Sequence, residues 1–177
     1  MVWRSSTTLR DRILAALMYL IPLYDGIVYG HFLFAQFPFL EYLKIPLIPL
    51  AIVYSLIPFG HSLIPFGLGS LLVFILLFVG VVRNEKIPHF IRFNTMQAIL
   101  ISILLILLKA VISLILNLVT NRKYHFEMPP DSFFTEILFN TIFLGVLAMV
   151  GYGIVQSARG LYAEMPLISE ASYLQTR

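Results

Sequence analysis

The stretch VVRNEKIPHFIRFNTMQA, residues 81–98, is a polar hinge between two long apolar runs. Three of the chain's 12 basic residues lie in it, namely Arg83, Lys86 and Arg92. Asn94 and Gln97 then enter the next apolar run. Because an unpaired amide in hydrocarbon costs several kcal/mol, both side chains need partners. The hinge is therefore the stretch of sequence that most strongly indicates how the helices are oriented and packed.

The composition is that of an integral membrane protein. Of the 177 residues, 59% are hydrophobic and 12% are charged, which is more apolar surface than a soluble domain can bury. Residues 45–82 and 137–158 contain no Asp, Glu, Lys or Arg, and a membrane-spanning helix needs about 20 apolar residues. We therefore predict one membrane domain over residues 1–177. The net charge of +3 is too small and dispersed for a nucleic-acid-binding protein, so we expect no nucleic acid partner.

The apolar segments predict an all-α fold, an integral membrane four-helix bundle. The predicted spans are residues 9–32, 61–82, 90–119 and 133–159. Prolines 46, 49 and 58 interrupt residues 45–60, since each removes a backbone donor and obstructs a helix. We interpret this proline-rich segment, between helices 1 and 2, as interfacial or re-entrant rather than as a fifth span.

Local capping signals support two of the helix starts. Thr8 followed by Asp11 fits a capping box, which places the start of the first helix near Leu9. After a pair of prolines, Asp131 or Ser132 is expected to cap the fourth helix.

The distribution of basic residues predicts the topology, because short cytoplasmic loops are enriched in Lys and Arg. Four spans put eight basic residues on one side and three on the other, whereas five spans give five against six. The eight are Arg4, Arg10, Arg12, Arg83, Lys86, Arg92, Arg159 and Arg177. We therefore expect both termini and the hinge on the cytoplasmic, or equivalent stromal, face.

The third predicted helix carries a polar stripe. At 100° per residue, the stripe residues fall within an arc of about 140°: Asn94, Ser102, Lys109, Ser113 and Asn117. In a membrane such a stripe turns toward partner helices or a water-filled groove. Gln97 lies off the stripe, and we expect it to form local hydrogen bonds.

Lys109 is the intramembrane charge that most needs a partner. Asp25 in the first span lies at a similar depth, whereas Glu136 lies near the far surface. We expect Asp25 to be the partner, with snorkelling of the lysine to the interface as the alternative.

Small residues line one side of the fourth predicted helix, at Thr141, Gly145 and Ala148. Small side chains let helices approach closely. We favour close packing inside the bundle over homo-oligomerisation through this face.

The sequence predicts no catalytic, cofactor-binding or metal-ligating residues. The four histidines, at 31, 61, 89 and 125, lack metal-binding spacing, and cysteine is absent. No nucleophile motif, second intramembrane Asp or glycine-rich phosphate loop is present. We therefore expect a membrane subunit rather than an enzyme.

The hinge resembles the signature of a known family. VVRN at 81–84 and FIRFNTMQAIL at 90–100 are similar to the twenty-kilodalton subunit of the chloroplast inner-envelope import translocon, the Tic complex. The resemblance continues in IPLYDGIVYG at 21–30, LFAQFP at 33–38, NTIFLGVLAMVGY at 140–152 and PLISEAS at 166–172. The positions that match the motif are Arg83, Asn84, Arg92, Asn94 and Gln97, in a structural or substrate-contacting role.

The resemblance implies a membrane subunit of a protein translocon that contributes to a preprotein-conducting path or to its assembly. It implies four membrane helices with both termini on the stromal or cytoplasmic face. The implied partners are other translocon subunits or further copies of this chain, transiting polypeptides, and membrane lipids. The implied membranes are the cyanobacterial plasma or thylakoid membrane or the plastid inner envelope. The N-terminal stretch lacks a transit-peptide pattern, which favours a cyanobacterial or plastid-encoded relative.

The residues are also compatible with two other functions. One is a small-solute or ion transporter or channel that acts as an oligomer, with Asp25 and Lys109 as its charged groups. The other is a scaffold subunit that conducts nothing. At Ser102 the chain departs from relatives that carry an acidic residue nearby, which weakens any model that needs a charge at that depth.

Overall fold

Helices are the only regular elements in the part of the chain that the structure, a computed structural model, describes: residues 7–56, 68–120, 132–166 and 168–176. The α-helices are α1 (Leu9–Met18), α2 (Leu20–Gly26), α3 (His31–Gln36), α4 (Ile48–Leu56), α5 (Leu68–Leu77), α6 (His89–Thr120), α7 (Phe133–Ala158) and α8 (Ile168–Gln175). A 3₁₀ turn covers Ile27–Gly30, a 3₁₀ helix covers Pro38–Leu47, and a π turn covers Phe78–Val82. The predicted all-α membrane fold is confirmed.

Four of these helical segments are long and apolar enough to cross a membrane: Leu9–Gln36, Pro38–Ser55, His89–Leu118 and Phe133–Ala158. Leu72–Val82 is a shorter apolar helix. Of the predicted second span, the structure describes residues 68–82, and residues 61–67 lie outside the described part. Length and composition thus also admit Pro38–Ser55 as a crossing, and its interfacial or re-entrant course stays a prediction.

The first membrane segment, α1 to α3, is broken at Tyr19. The capping box is confirmed, since Thr8 Oγ1 accepts from Asp11 N at 3.2 Å and Asp11 Oδ2 accepts from Thr8 N at 2.9 Å. The break at Tyr19 has a local cause: Pro22 has no N–H for the carbonyl four residues earlier, and its ring crowds that carbonyl. The interruption turns the Tyr19 side chain fully into the bundle.

The segment Pro38–Leu56 passes over the outer side of the first membrane segment. Lys44 Nζ lies 4.5 Å from the centroid of the Phe34 ring, and Leu47 is buried in the main core. The Tyr54 ring lies 4.7 Å from the Tyr24 ring. Tyr54 of α4 and Val73 of α5 line the same small cavity, so α4 and α5 meet beside α2.

The core lies between the first membrane segment, α6 and α7. Tyr29 contacts Phe139 with ring centroids 5.6 Å apart, and Phe34 contacts Phe143 at 5.2 Å. The buried face of α7 repeats every three or four residues, as one side of a helix must. Its members are Thr135, Phe139, Phe143, Val146, Val150, Gly153 and Ser157.

The prediction that the small face of α7 packs inside the bundle is wrong. Thr141, Gly145 and Ala148 are exposed, and a Cβ on Gly145 would meet nothing within 4 Å. The close approach occurs instead at Gly153, where a Cβ would lie 2.5 Å from Tyr19 Cζ. Apolar residues cover both the core-facing and the outward faces of α7, so hydrophobicity could not distinguish the two.

The start of α1, the hinge and α8 lie at the same end of the bundle. Thr7 and Arg12 contact Gly160 just after α7, and α8 packs against the start of α6. The face of the membrane on which the two termini and the hinge lie stays a prediction. Ser132 caps α7 through its Oγ, which accepts from Thr135 N at 3.3 Å.

Candidate functional site: the hinge and the buried amide cluster

The hinge is held by three contacts of its own side chains. Asn84 Oδ1 accepts from Lys86 N at 3.1 Å, which closes the turn. Arg92 Nε donates to the Val82 carbonyl at 2.7 Å, so that α6 satisfies the end of the preceding π turn. Arg83 is exposed and lies 5.8 Å from the Phe78 ring centroid. Arg83, Asn84 and Arg92 thus shape the turn between α5 and α6.

Asn94 and Gln97 form a buried amide cluster with Tyr19 and Ser157, and both amides are 0% exposed. The Tyr19 hydroxyl lies 2.6 Å from Gln97 Oε1 and 3.0 Å from Asn94 Oδ1. Ser157 Oγ donates to Asn94 Oδ1 at 3.1 Å. The cluster therefore joins three helices, since Tyr19 follows α1, the amides belong to α6 and Ser157 belongs to α7.

Gln97 also ties the C-terminal segment to the bundle. Its Nε2 donates to the Ala163 carbonyl at 2.6 Å and to Ser169 Oγ at 3.0 Å. Ser169 Oγ accepts from Met165 N as well. The expectation that Gln97 bonds locally is wrong, because the chain after α7 turns back at Gly160 and brings Ala163 and Ser169 to α6.

Sequence reasoning missed two members of this cluster, Tyr19 and Ser157, and also Ser169, which accepts from Gln97. Tyr19 and Ser157 occupy apolar runs in which nothing distinguishes a buried hydroxyl from a lipid-facing one. Ser169 lies in the PLISEAS stretch that carries the family resemblance, and this was the available signal. A buried amide needs partners, but only the fold reveals which hydroxyls reach it.

An aromatic cluster lies above the amides at the start of α6. The Phe93 ring lies 4.5 Å from the Tyr173 ring and 5.0 Å from the Tyr162 ring, centroid to centroid. His89 Nδ1 is 3.1 Å from the Tyr162 hydroxyl, and its Nε2 is 3.3 Å from Thr176 Oγ1. Burial, with a smaller contribution from Tyr173, raises the pKa of Tyr162 above its ordinary value. These contacts seat α8 on α6.

The predicted polar stripe has two environments. Ser102 is buried and lines a cavity of about 20 Å³ together with Asp25, which is room for about one water molecule. Lys109, Ser113 and Asn117 are half-buried in the second half of α6. Lys109 stands about 10 Å further along the helix than Ser102. The Asp25–Lys109 pair stays a prediction.

The side chains of the buried amide cluster connect helices to one another. The amide and hydroxyl groups of Asn94, Gln97 and Tyr19 bond to one another and to the backbone. In the described ranges, no group of three or more His, Asp or Glu could hold a metal ion. The arrangement supplies mechanical connection between helices that hydrophobic burial cannot provide in lipid.

The region that matches known proteins includes the hinge and the buried amide cluster. Residues 7–172 match the family model described as "Chloroplast import apparatus Tic20-like". A "Tic20 family protein" of Synechocystis sp. is 44% identical over 168 residues, which are 95% of this chain and 94% of that protein. "Protein TIC 20-v, chloroplastic" of Arabidopsis thaliana is 33% identical over 92% of this chain and 69% of its own length. "Tic20 family protein Ycf60" of Gracilaria tenuistipitata is 32% identical over 95% of this chain and 76% of its own length.

Proposed function

This chain belongs to the Tic20-like family of chloroplast import apparatus proteins, and from that premise we propose that it is a membrane subunit of a protein translocon. Within the complex it borders a path for polypeptide and supports the assembly of that path. It acts together with other translocon subunits or with further copies of itself.

The observation that carries this proposal is the full burial of Asn94 and Gln97, the two amides of the family signature that lie in α6. Asn94 and Gln97 are 0% exposed and spend their hydrogen bonds on Tyr19, Ser157 and the C-terminal segment. Side chains used in this way fix the mutual positions of helices and do not face a passing chain. Asn94 and Gln97 therefore act as structural anchors, and contacts to substrate are sought on the outer surface.

The cavity at mid-depth is too small to form a path through the inside of the bundle. The cavity beside Asp25 and Ser102 has a volume of about 20 Å³, whereas even one small solute site occupies roughly 300 Å³. A polypeptide path is therefore placed where this chain meets a neighbour. The second half of α6, with Lys109, Ser113 and Asn117, offers half-buried polar groups at such a place.

The proposed membrane is the cyanobacterial plasma or thylakoid membrane or the plastid inner envelope. The chain is a multi-pass membrane protein with several long apolar helices. We place the hinge and α8 on the cytoplasmic or stromal side, in line with the excess of basic residues there.

Site-specific photocrosslinking during translocation of a tagged polypeptide tests the proposal. Probes replace Ser113 and Asn117, and a control probe replaces Leu144 on the exposed side of α7. We expect adducts to the tagged polypeptide from α6 and to lipid alone from Leu144. Adducts from all three positions to lipid alone would contradict a bordering role, and recovery of no partner subunit in mild detergent would contradict assembly.

Flux measurements in proteoliposomes address the transporter alternative. Ion or solute flux that requires Asp25 and needs no polypeptide would overturn the proposal. The charge exchange Asp25→Lys with Lys109→Asp tests the predicted pair, which is rejected if the double variant accumulates no better than either single variant.

A further inference from the structure

A groove runs along the outside of the bundle between the first membrane segment and the end of α7. Its volume is about 380 Å³. All but one of its lining residues are apolar: Leu9, Ile13, Ala16, Leu17, Leu20, Pro46, Ile154 and Ala158, with Arg12 as the exception. From Leu9 to Leu20 the groove follows the helices for about 16 Å.

The length and place of the groove match one leaflet of a bilayer. A leaflet contributes half of the hydrocarbon thickness of about 30 Å. The groove begins at the helix end that carries the hinge and α8, and it reaches to the level of Leu20 inside the membrane segment. Its occupant is therefore a chain that enters from the membrane surface and extends to mid-depth.

Arg12 stands at the surface end of the groove and is held in place. Its Nε donates to Thr7 Oγ1 at 3.1 Å, and one Nη lies 3.5 Å from the Thr7 carbonyl oxygen. Gly160, at φ +75°, ends α7 beside it, and a Cβ there would lie 2.8 Å from Arg12 Nε. Gly160 thus permits a close approach, in a backbone conformation that side chains disfavour.

The fixed guanidinium leaves donors for an anion. Arginine has five N–H groups, and among the described residues only Thr7 accepts from Arg12. Arg10 is exposed and does not line the groove, while the nearby Asp11 carboxylate is engaged in the capping box. A phosphate at the membrane surface meets the Arg12 guanidinium directly, whereas a partner helix in the groove would bury the cation.

We propose that this groove binds one anionic phospholipid, with the headgroup phosphate on Arg12 and an acyl chain between α1 and α7. The bound lipid fills the outer seam between two helices that the buried amide cluster joins on the inner side. The lipid site is separate from the proposed polypeptide path. Evidence against lipid binding would therefore not contradict the proposed translocon function.

Native mass spectrometry tests headgroup selection, with the protein extracted into mixed micelles of phosphatidylglycerol and phosphatidylcholine that carry identical acyl chains. We expect one retained lipid and a preference of about fivefold for phosphatidylglycerol, the effect of about one basic residue at an anionic surface. Arg12→Gln should abolish the preference and Arg12→Lys should keep most of it. Arg10→Gln, which makes the same charge change outside the groove, should behave as the parent. Equal retention of both lipids, or an equal loss in Arg10→Gln, would overturn the proposal.

The acyl-chain part is tested by filling the groove from an exposed position. Ala158→Phe should lower retention of both lipids, and Ala148→Phe, ten residues earlier on an exposed face of α7, should not. Phosphatidylglycerol with a photoreactive acyl chain requires no variant and should label residues 9–20 and 154–158 of the parent protein. Labelling elsewhere only, or crosslinks from this groove to a second protein chain, would refute the lipid site.

Discussion

The two ends of the bundle differ in the buried hydrogen bonds that join their helices. At the end that carries the hinge, hydrogen bonds of 2.6 to 3.1 Å join Tyr19, Asn94, Gln97, Ser157 and the C-terminal segment. At the other end, aromatic contacts such as Phe34 with Phe143 join the helices. There α6 leaves large side chains exposed, among them Leu107 at 58% and Leu118 at 73%.

The difference matters because apolar contact discriminates poorly in a membrane. Lipid tails are as apolar as leucine, so burial of Leu or Ile does little to favour one neighbour over another. Buried amides demand particular partners. The amide cluster therefore fixes the helices of the hinge end, and the opposite end is the part of the chain left for neighbouring protein chains.

The largest expected effect comes from filling the space between Gly153 and the Tyr19 ring, where two helices of the hinge end approach closely. Gly153→Ala places a Cβ 2.5 Å from Tyr19 Cζ, and the buried Tyr19 ring is held by its bond to Gln97. We expect the free energy of unfolding to fall by about 3 kcal/mol, which is typical of overpacking. Thermal unfolding in detergent measures this loss. Gly145→Ala, where the space is open, should gain about 0.5 kcal/mol from helix propensity. Equal effects of the two changes would contradict the close approach at Gly153.

The second effect comes from removing the amide that connects three segments. Gln97→Leu leaves the Ala163 carbonyl and the Tyr19 hydroxyl without that partner, and we expect a loss of about 2 kcal/mol. The matched control, Ser113→Ala in the half-buried second half of α6, should change stability by less than about 0.5 kcal/mol. If Ser113→Ala were as harmful as Gln97→Leu, the contrast between the two ends would be lost.

A smaller effect is expected at the attachment of α8. Ser169→Ala removes the acceptor for Met165 N and for Gln97 Nε2, at about 1 kcal/mol. Hydrogen exchange should accelerate in α8 and remain unchanged in α7. Ser55→Ala, which loses only a bond to the carbonyl of Ile52 in its own helix, should leave α8 unaffected. Uniform acceleration across the protein would show that Ser169 acts on the whole bundle instead.

The smallest effect concerns pH at the aromatic cluster. Burial raises the pKa of Tyr162 in the folded state above its ordinary value of 10.0, so its contribution to stability is complete below that pH. The contribution is lost as pH rises through the folded pKa, because the unfolded chain ionises first. Tyr162→Phe should therefore show a shallower loss of stability above pH 10.0 than the parent. Parallel curves of melting temperature against pH would exclude this contribution.

Local signals were sufficient where short-range chemistry decides the structure. The capping box of Thr8 and Asp11 and the cap at Ser132 follow from side chains that reach backbone groups three residues away. The need of Asn94 for a partner was also evident, since the cost of a bare amide does not depend on the fold. The partner of Gln97 was not, because it lies 66 residues away along the chain, at Ala163.

By itself, the sequence determined that this chain is a helical membrane protein, where α1, α6 and α7 begin, and which family it resembles. Those properties depend on apolar length, on caps and on motif spacing, and all of these are local. Only the tertiary structure decided that Gly153 rather than Gly145 is the point of close approach, and that Gln97 holds the C-terminal segment. In a membrane the core-facing and lipid-facing sides of a helix are alike in composition, so the choice between them emerges only when helices with specific shapes and polar groups meet.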